Sequence, residues 1–399
     1  MSAVVGLRRL RIGVVGLGIA GAAAAALLAR DGHRVEVLED AADPRPVGAG
    51  IWLQEYGQLV LDRLGLLDTM AARSREVRHI RVVTGGRPVV SLSYDAVPRR
   101  RAALGVHRGD LFTLLSQAVR DAGAAVTTGV TATAVTPVND GAVITTTQGE
   151  HGPYDLVIGA DGRSSRIRGA LGLGARVRPY AYGALWAIVD DPEGLTGGEL
   201  FQSLRGTREY LGVLPTGTSR ASIFWSVHWG REPYADRIDP AEWRATARAL
   251  AGPYAGLVDR VDHLIPARYS DVSVRRPFRI GAGRAAVLIG DAAHAMSPQL
   301  GVGASLALVD AATLAGALRT AASLGEAIGE HHRRRRAHLA WYQWCTRAMM
   351  PFFQSDLDLL AVPRDLLGPI LSHPRSVQQL MVRQLFADRT SLWTQLQPP

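Results

Sequence analysis

Three glycines at a fixed spacing constrain this chain more than anything else in it. Arg11 to Val15 is an apolar, β-branched run of the kind buried on both faces of a sheet, and Gly16, Gly18 and Gly21 follow at once. Ala20 to Asp31 has strong helix propensity and stops at Gly32, and Arg34 to Glu39 returns as a second strand. The spacing predicts a βαβ unit whose turn is built to meet a phosphate. Gly16 permits the tight turn, Gly18 lets the backbone approach a pyrophosphate at the positive end of the helix, and Gly21 lets helix and strand pack closely. Glu39 ends the second strand where a carboxylate can hold a ribose hydroxyl. Arg8, Arg9 and Arg11 before the apolar run give it the outline of a secretory signal, but such a signal has no use for the glycine spacing.

The 399 residues suffice for about two or three domains and for a core without disulfides. All 45 basic residues are arginine, which excludes a Schiff-base lysine and a P-loop lysine. A net charge of +9 invites a nucleic-acid reading. Against it, the arginines are scattered except for Arg99 to Arg101 and Arg333 to Arg336, and neither run is interleaved with stacking aromatics. No nucleic-acid partner is expected, and His331-His332 with the arginines after them reads as a polar helix face. The single cysteine, Cys345, permits no internal disulfide and no cysteine zinc site. The expectation is a cytoplasmic protein with no metal and no transmembrane segment, as a monomer or homodimer.

Further along, Asn139-Asp140-Gly141 interrupts a Thr- and Val-rich stretch and signals a hairpin. Tyr154 to Ile158 is a short apolar strand followed by Asp161-Gly162, and Ala285 to Ile289 is another followed by Gly290-Asp291. Between them, residues 179 to 277 suggest a mixed or antiparallel sheet. Its strand Arg220 to Trp229 alternates, with Ile223, Trp225, Val227 and Trp229 on one face and Ser222, Phe224, Ser226 and His228 on the other. Alternation alone does not say which face looks toward a ligand.

With three glycine-and-acid signatures in this order and a β-rich insert between the last two, the chain resembles the single-component flavoprotein aromatic hydroxylases, the p-hydroxybenzoate hydroxylase-like monooxygenases. Asp155 to Gly162 with Ser165 and Arg168 matches the second motif of that family, and Gly283-Arg284 through His294 with Pro298 and Gly301 matches the third. The resemblance implies an α/β fold: a three-layer, Rossmann-like FAD-binding domain (1–76, 100–178, 278–345) interrupted by a β-sheet substrate domain (77–99, 179–277) and followed by a helical C-terminal tail (346–399).

It also implies roles. Gly16, Gly18, Gly21 and Glu39 would hold the ADP part of a non-covalent FAD, with Arg45 and Gly48 to Gly50 along the flavin and Arg108 near the pyrophosphate. Asp161 would serve both FAD and a transient NAD(P)H, and Asp291 the ribityl hydroxyls. Pro298 and the backbone of Gly301, Val302 and Gly303 would face the flavin's N1 and C2 oxygen, where a helix N-terminus stabilises negative charge. Trp186, Phe224 and Trp225 would line a substrate pocket, and His228 and Tyr210 have the chemistry of a base. The implied activity is insertion of one oxygen atom from O2, through a flavin C4a-hydroperoxide, into an aromatic or polyketide-like small molecule. A flavin reductase of the geranylgeranyl-reductase kind and a non-catalytic flavin module remain open at this point. Gln54-Glu55-Tyr56 and Ser305 depart from the family pattern beside the flavin.

Overall fold

The computed structural model describes residue 7 and residues 9–44, 48–230 and 240–398. Its centre is a six-stranded sheet in the order Phe278–Gly281, Arg284–Leu288, Leu156–Gly159, Arg11–Val15, Arg34–Glu39, Ala125–Thr128. Five strands are parallel, and Phe278–Gly281 closes one edge as an antiparallel hairpin partner of Arg284–Leu288. Ile12, Val14, Leu156 and Ile158 face a helical layer of Ile19–Arg30, Arg108–Asp121 and Gly303–Thr320. Val157 and Leu288 face the meander Ala132–Val138, Gly141–Thr146, Gly149–Tyr154, which turns at the predicted Asp140-Gly141 hairpin. The three layers follow from strands apolar on both sides, which must be covered twice.

A second sheet of seven strands runs Ile265–Ala267, Tyr182–Asp190, Arg220–His228, Glu209–Pro215, Glu199–Arg205, His79–Thr84, Arg87–Ser93. It is mixed: Glu199–Arg205 pairs in parallel with His79–Thr84, and its other neighbours are antiparallel. One face is sealed by Pro240–Ala251 and Ala255–Val258, whose Trp243, Ala247 and Leu257 bury Leu185, Leu211, Ile223, Trp225 and Val227. The other face turns to the domain of the six-stranded sheet, where the Gly50 N–H donates to Ser222 Oγ at 3.0 Å.

The expected boundary at 345 falls inside a helix. Leu324–Phe353 is one continuous helix of 30 residues through that point, because Pro351 falls in its last turn. Ala361–Ser372 and Arg375–Leu385 then pack on strand Arg87–Ser93. Among the described residues no helix is long and apolar enough to cross a membrane.

Candidate active site

The three glycines divide their work as steric space predicts. A Cβ on Gly21 would sit 1.9 Å from the Gly16 carbonyl oxygen and one on Gly16 2.6 Å from that of Ala160, so both are needed for backbone packing. A Cβ on Gly18 would meet nothing within 4 Å, which leaves the mouth of the turn open at the start of helix Ile19–Arg30. Glu39 Oε2 accepts from the Leu17 N–H at 2.7 Å and Oε1 from the Ala41 N–H at 3.0 Å, which fixes the carboxylate beside that mouth.

Asp291 opens the short helix Asp291–His294 after Gly290, which adopts φ +59°. It is exposed and has no polar partner among the described residues. Arg108 is likewise exposed, and its guanidinium has no carboxylate partner among them. Its stem lies across Gly48, where a Cβ would come within 2.6 Å of Arg108 Cδ. Gly301, at φ +60°, follows the turn Pro298–Leu300, and a Cβ there would meet Trp52 Cε3 at 2.7 Å. Val302 then caps the 18-residue helix Gly303–Thr320 and Gly303 opens it, with free space about the Gly303 Cα. Arg45 lies outside the described residues.

Asp161 behaves otherwise than expected of a direct ligand. Its carboxylate accepts from Ser165 Oγ, from the Arg166 N–H at 2.7 Å and from the Ile167 N–H at 3.0 Å. These are the bonds of a cap, and they order helix Arg166–Ala170. Arg168 from that helix donates to the Ala292 carbonyl at 2.9 Å and so ties the second motif to the third.

Beneath the Gly290–His294 loop lies a buried ionic network. Asp310 accepts from the Gly290 N–H at 2.8 Å, from His294 Nε2 and, at 2.6 Å, from Arg335 Nε. Arg335 also donates to the Leu306 carbonyl at 3.0 Å and bonds His338, whose Nε2 reaches the Ala387 carbonyl at 2.9 Å. Arg335 holds the Asp310 carboxyl far below the usual range against its burial. His331 is pushed down to about 4 by burial, with Arg335 and His332 adding to the push and Asp310 opposing it. It shares a hydrogen bond with Thr313 Oγ1. The sign of the pH effect follows. His331 takes a proton near its ordinary 6.5 when unfolded but only near 4 when folded, so stability is full above 6.5 and lost as pH falls toward 4. His331 alone should contribute a loss of up to about 1.4 kcal/mol per pH unit across that window, read as the difference between the equilibrium unfolding profiles of wild type and His331→Gln. Identical slopes in the two proteins would mean that His331 contributes nothing to the pH dependence.

On the face of the seven-stranded sheet opposite Pro240–Ala251, aromatic rings converge. Phe224 stands edge-on to Tyr210 with centroids 4.5 Å apart, Trp186 tilts over it at 5.3 Å, and Phe353 approaches Tyr210 at 6.0 Å. Gly212, the cross-strand partner of Phe224, leaves the room the ring occupies, since a Cβ there would sit 2.1 Å from it. Trp186 Nε1 donates to the Tyr269 hydroxyl at 3.2 Å. Trp225 points the opposite way, under helix Pro240–Ala251, and does not line this box. Burial raises the pKa of the Tyr210 phenol far above its usual value, so Tyr210 enters the box as a protonated hydroxyl. His228 lies four residues along the strand from Phe224, about 13 Å away. Its Nδ1 accepts from the Gly230 N–H at 3.2 Å and its Nε2 is 3.7 Å from Asp356, so both ring nitrogens are engaged at the sheet end.

Between the two sheets, Trp52 Nε1, Thr216 Oγ1, Ser297 Oγ and Gln299 Oε1 are buried without a hydrogen-bond partner among the described residues. Each such group costs about 1–3 kcal/mol unless a ligand or a bound water satisfies it. With the open turn at Gly18 and the exposed Asp291 and Arg108, these residues fit an FAD laid from the glycine turn to Gly301.

A family model described as the FAD binding domain matches residues 9–341. The chain belongs to the single-component FAD-dependent aromatic hydroxylases. Among its curated relatives, 3-amino-4-hydroxybenzoate 2-monooxygenase of Streptomyces cremeus is 32% identical over 335 residues, 78% of this chain and 79% of that protein. A 6-hydroxynicotinate 3-monooxygenase of Pseudomonas fluorescens is 29% identical over 342 residues, covering 82% and 88%. Klebsiella pneumoniae HpxO, solved with FAD and uric acid, shares the fold with a TM-score of 0.78 at 22% identity, over 95% of this chain and 97% of that one.

This hydroxylase therefore is an FAD-dependent oxidoreductase, and the reductase and non-catalytic readings fall. Sequence reasoning missed Tyr269 and Phe353 in the aromatic box and Asp310, Arg335 and His338 beneath the flavin loop. Only Asp310 carried a signal, as an acid within an otherwise apolar helical stretch. The two departures from the family pattern prove to be partners: Ser305 Oγ accepts from the Gln54 N–H at 3.0 Å, and Tyr94 donates to Gln54 Oε1 at 2.6 Å.

Proposed function

We propose that the hydroxylase inserts one oxygen atom into a small, planar aromatic or polyketide-like molecule held among Trp186, Tyr210, Phe224, Tyr269 and Phe353, with NAD(P)H as a transient reductant. The observation that carries this reading is the aromatic box itself, on the sheet face opposite helices Pro240–Ala251 and Ala255–Val258. FAD, when bound, supplies the activation of oxygen and its transfer. The chain supplies the rest. Ring faces and edges orient a planar substrate by offset and edge-to-face contact. Burial holds Tyr210 and Tyr269 protonated, so their hydroxyls orient a polar substituent without introducing charge. The backbone N–H groups at Gly303 present the positive end of a long helix to the flavin edge. Phe224 and Trp186 exclude water, which would divert activated oxygen to hydrogen peroxide.

A screen of aromatic compounds for stimulated NAD(P)H oxidation, run under isotopically labelled oxygen, tests the reading. Labelled product supports it, and stimulated oxidation that yields only peroxide with every compound rejects it. Phe224→Ser should retain NAD(P)H consumption while product per reductant falls severalfold and peroxide rises. Trp225→Ser, on the sealed face, should leave that ratio unchanged in the protein that folds. Equal uncoupling by both would show that the box does not shield the reaction.

A further inference from the structure

The run His331 to Arg336 is divided by helical phase. His331 and Arg335 turn inward to Thr313 and Asp310, while His332 and Arg336, one turn apart, turn outward. They form one wall of a cleft of about 1030 Å3. Arg275, Arg276 and Arg279 supply a second wall, on and just before the edge strand Phe278–Gly281, and the turn Gly172–Gly174 a third. Among the described residues no carboxylate lines it. Arg279 is held by the carbonyls of Leu171 and Gly172 at 2.9 and 3.0 Å. Arg275, Arg276 and Arg336 have no acidic partner among the described residues, whereas Arg81 and Arg347 elsewhere pair with Glu199 and Asp271. His332 stands edge-on to Phe278 at 5.2 Å.

Guanidinium groups gathered without a counter-charge repel one another, and the arrangement is favourable only when an anion enters. Their planar forks match phosphate oxygens two at a time. The position of the cleft narrows the class of anion. Its glycine wall follows directly from helix Arg166–Ala170, which Asp161 caps, and its strand wall pairs with Arg284–Leu288, which runs into Gly290-Asp291. The cleft thus flanks two of the three flavin-site motifs.

We propose that this cleft binds the phosphomonoester of a phosphorylated dinucleotide, the 2′-phosphate of NADPH, and that the enzyme consequently discriminates against NADH. The inference rests on the reading that a nicotinamide dinucleotide reduces the flavin. Anaerobic rapid mixing of the FAD-loaded enzyme with NADPH and with NADH tests it, using wild type and R276S/R336S. The double variant should raise the NADPH dissociation constant about tenfold or more, since two charge-assisted contacts are lost. Its FAD content, limiting reduction rate and NADH affinity should not change. Equal shifts for both reductants, or none, would overturn the proposal. Calorimetry on the oxidised enzyme separates the two levels of the argument. 2′,5′-ADP should bind wild type more tightly than 5′-AMP and lose that advantage in the double variant, while inorganic phosphate at the same concentration should not displace it. If neither reductant reduces the flavin, the functional reading fails, and the calorimetry still decides the cleft. Displacement by phosphate, or an advantage that survives the double substitution, would overturn the assignment of a dinucleotide phosphate there.

Discussion

Asp310→Ala should destabilise the protein by about 3–5 kcal/mol, because it removes the acceptor from a buried guanidinium and leaves that charge without compensation. Arg335 is 2% exposed and Asp310 1%, so water cannot replace the lost partner. The same substitution frees the Gly290 N–H and His294, both of which Asp310 holds. Denaturant unfolding of the FAD-free protein measures the stability term, and flavin titration of the folded fraction measures the effect on the loop. Asp310→Asn keeps the shape and an acceptor oxygen, so it should retain more of the loop geometry while still losing the ion pair. A cost below about 1 kcal/mol for alanine, the range of an exposed pair, would mean that Arg335 finds another acceptor.

The second large effect concerns Asp291. Asp291→Ala should weaken FAD binding about ten- to a hundredfold, the equivalent of one charge-assisted bond of about 1.5–3 kcal/mol. The folded protein should tolerate it, since the side chain is exposed and has no partner among the described residues. Fluorescence titration of the FAD-free variant gives the affinity, and its unfolding midpoint without flavin gives the control. Undiminished affinity would reduce Asp291 to the residue that opens a four-residue helix. Asp161→Ala should behave in the opposite way, with a loss of stability and a smaller loss of flavin affinity, because its oxygens are already bonded to the helix it caps.

The three motifs were legible because each is a local matter. A strand, a glycine turn and a helix N-terminus lie within a few residues, so Gly16, Gly21 and Gly290 carry their geometry in their own spacing. The hairpin at Asp140-Gly141 was legible for the same reason. Contacts across the chain were not. His294, Asp310, Arg335 and His338 come together only when the helix from Leu324 packs against Gly303–Thr320, and nothing in the spacing of those residues predicts it. The alternation of strand Arg220–His228 was correct, but its two faces are distinguished only by Trp243 and Ala247, which claim the side carrying Trp225. The expected boundary at 345 falls inside helix Leu324–Phe353, whose continuity depends on packing along its length and not on a local signal at that point.

The long helix Leu324–Phe353 has one end in each half of the enzyme. Arg335 is clamped to the loop beside the flavin site, and Phe353 reaches the aromatic box. Eighteen residues of α-helix between them make a lever of about 27 Å, so a tilt of about 2° at the clamp displaces the far ring by about 1 Å. Errors of that size in reacting geometry can lower rates about a hundredfold. If the box holds the substrate as proposed, its alignment there is only as exact as the seating of Arg335, and changes at the clamp should appear as slower oxygen transfer in protein that still folds and still binds its aromatic ligand.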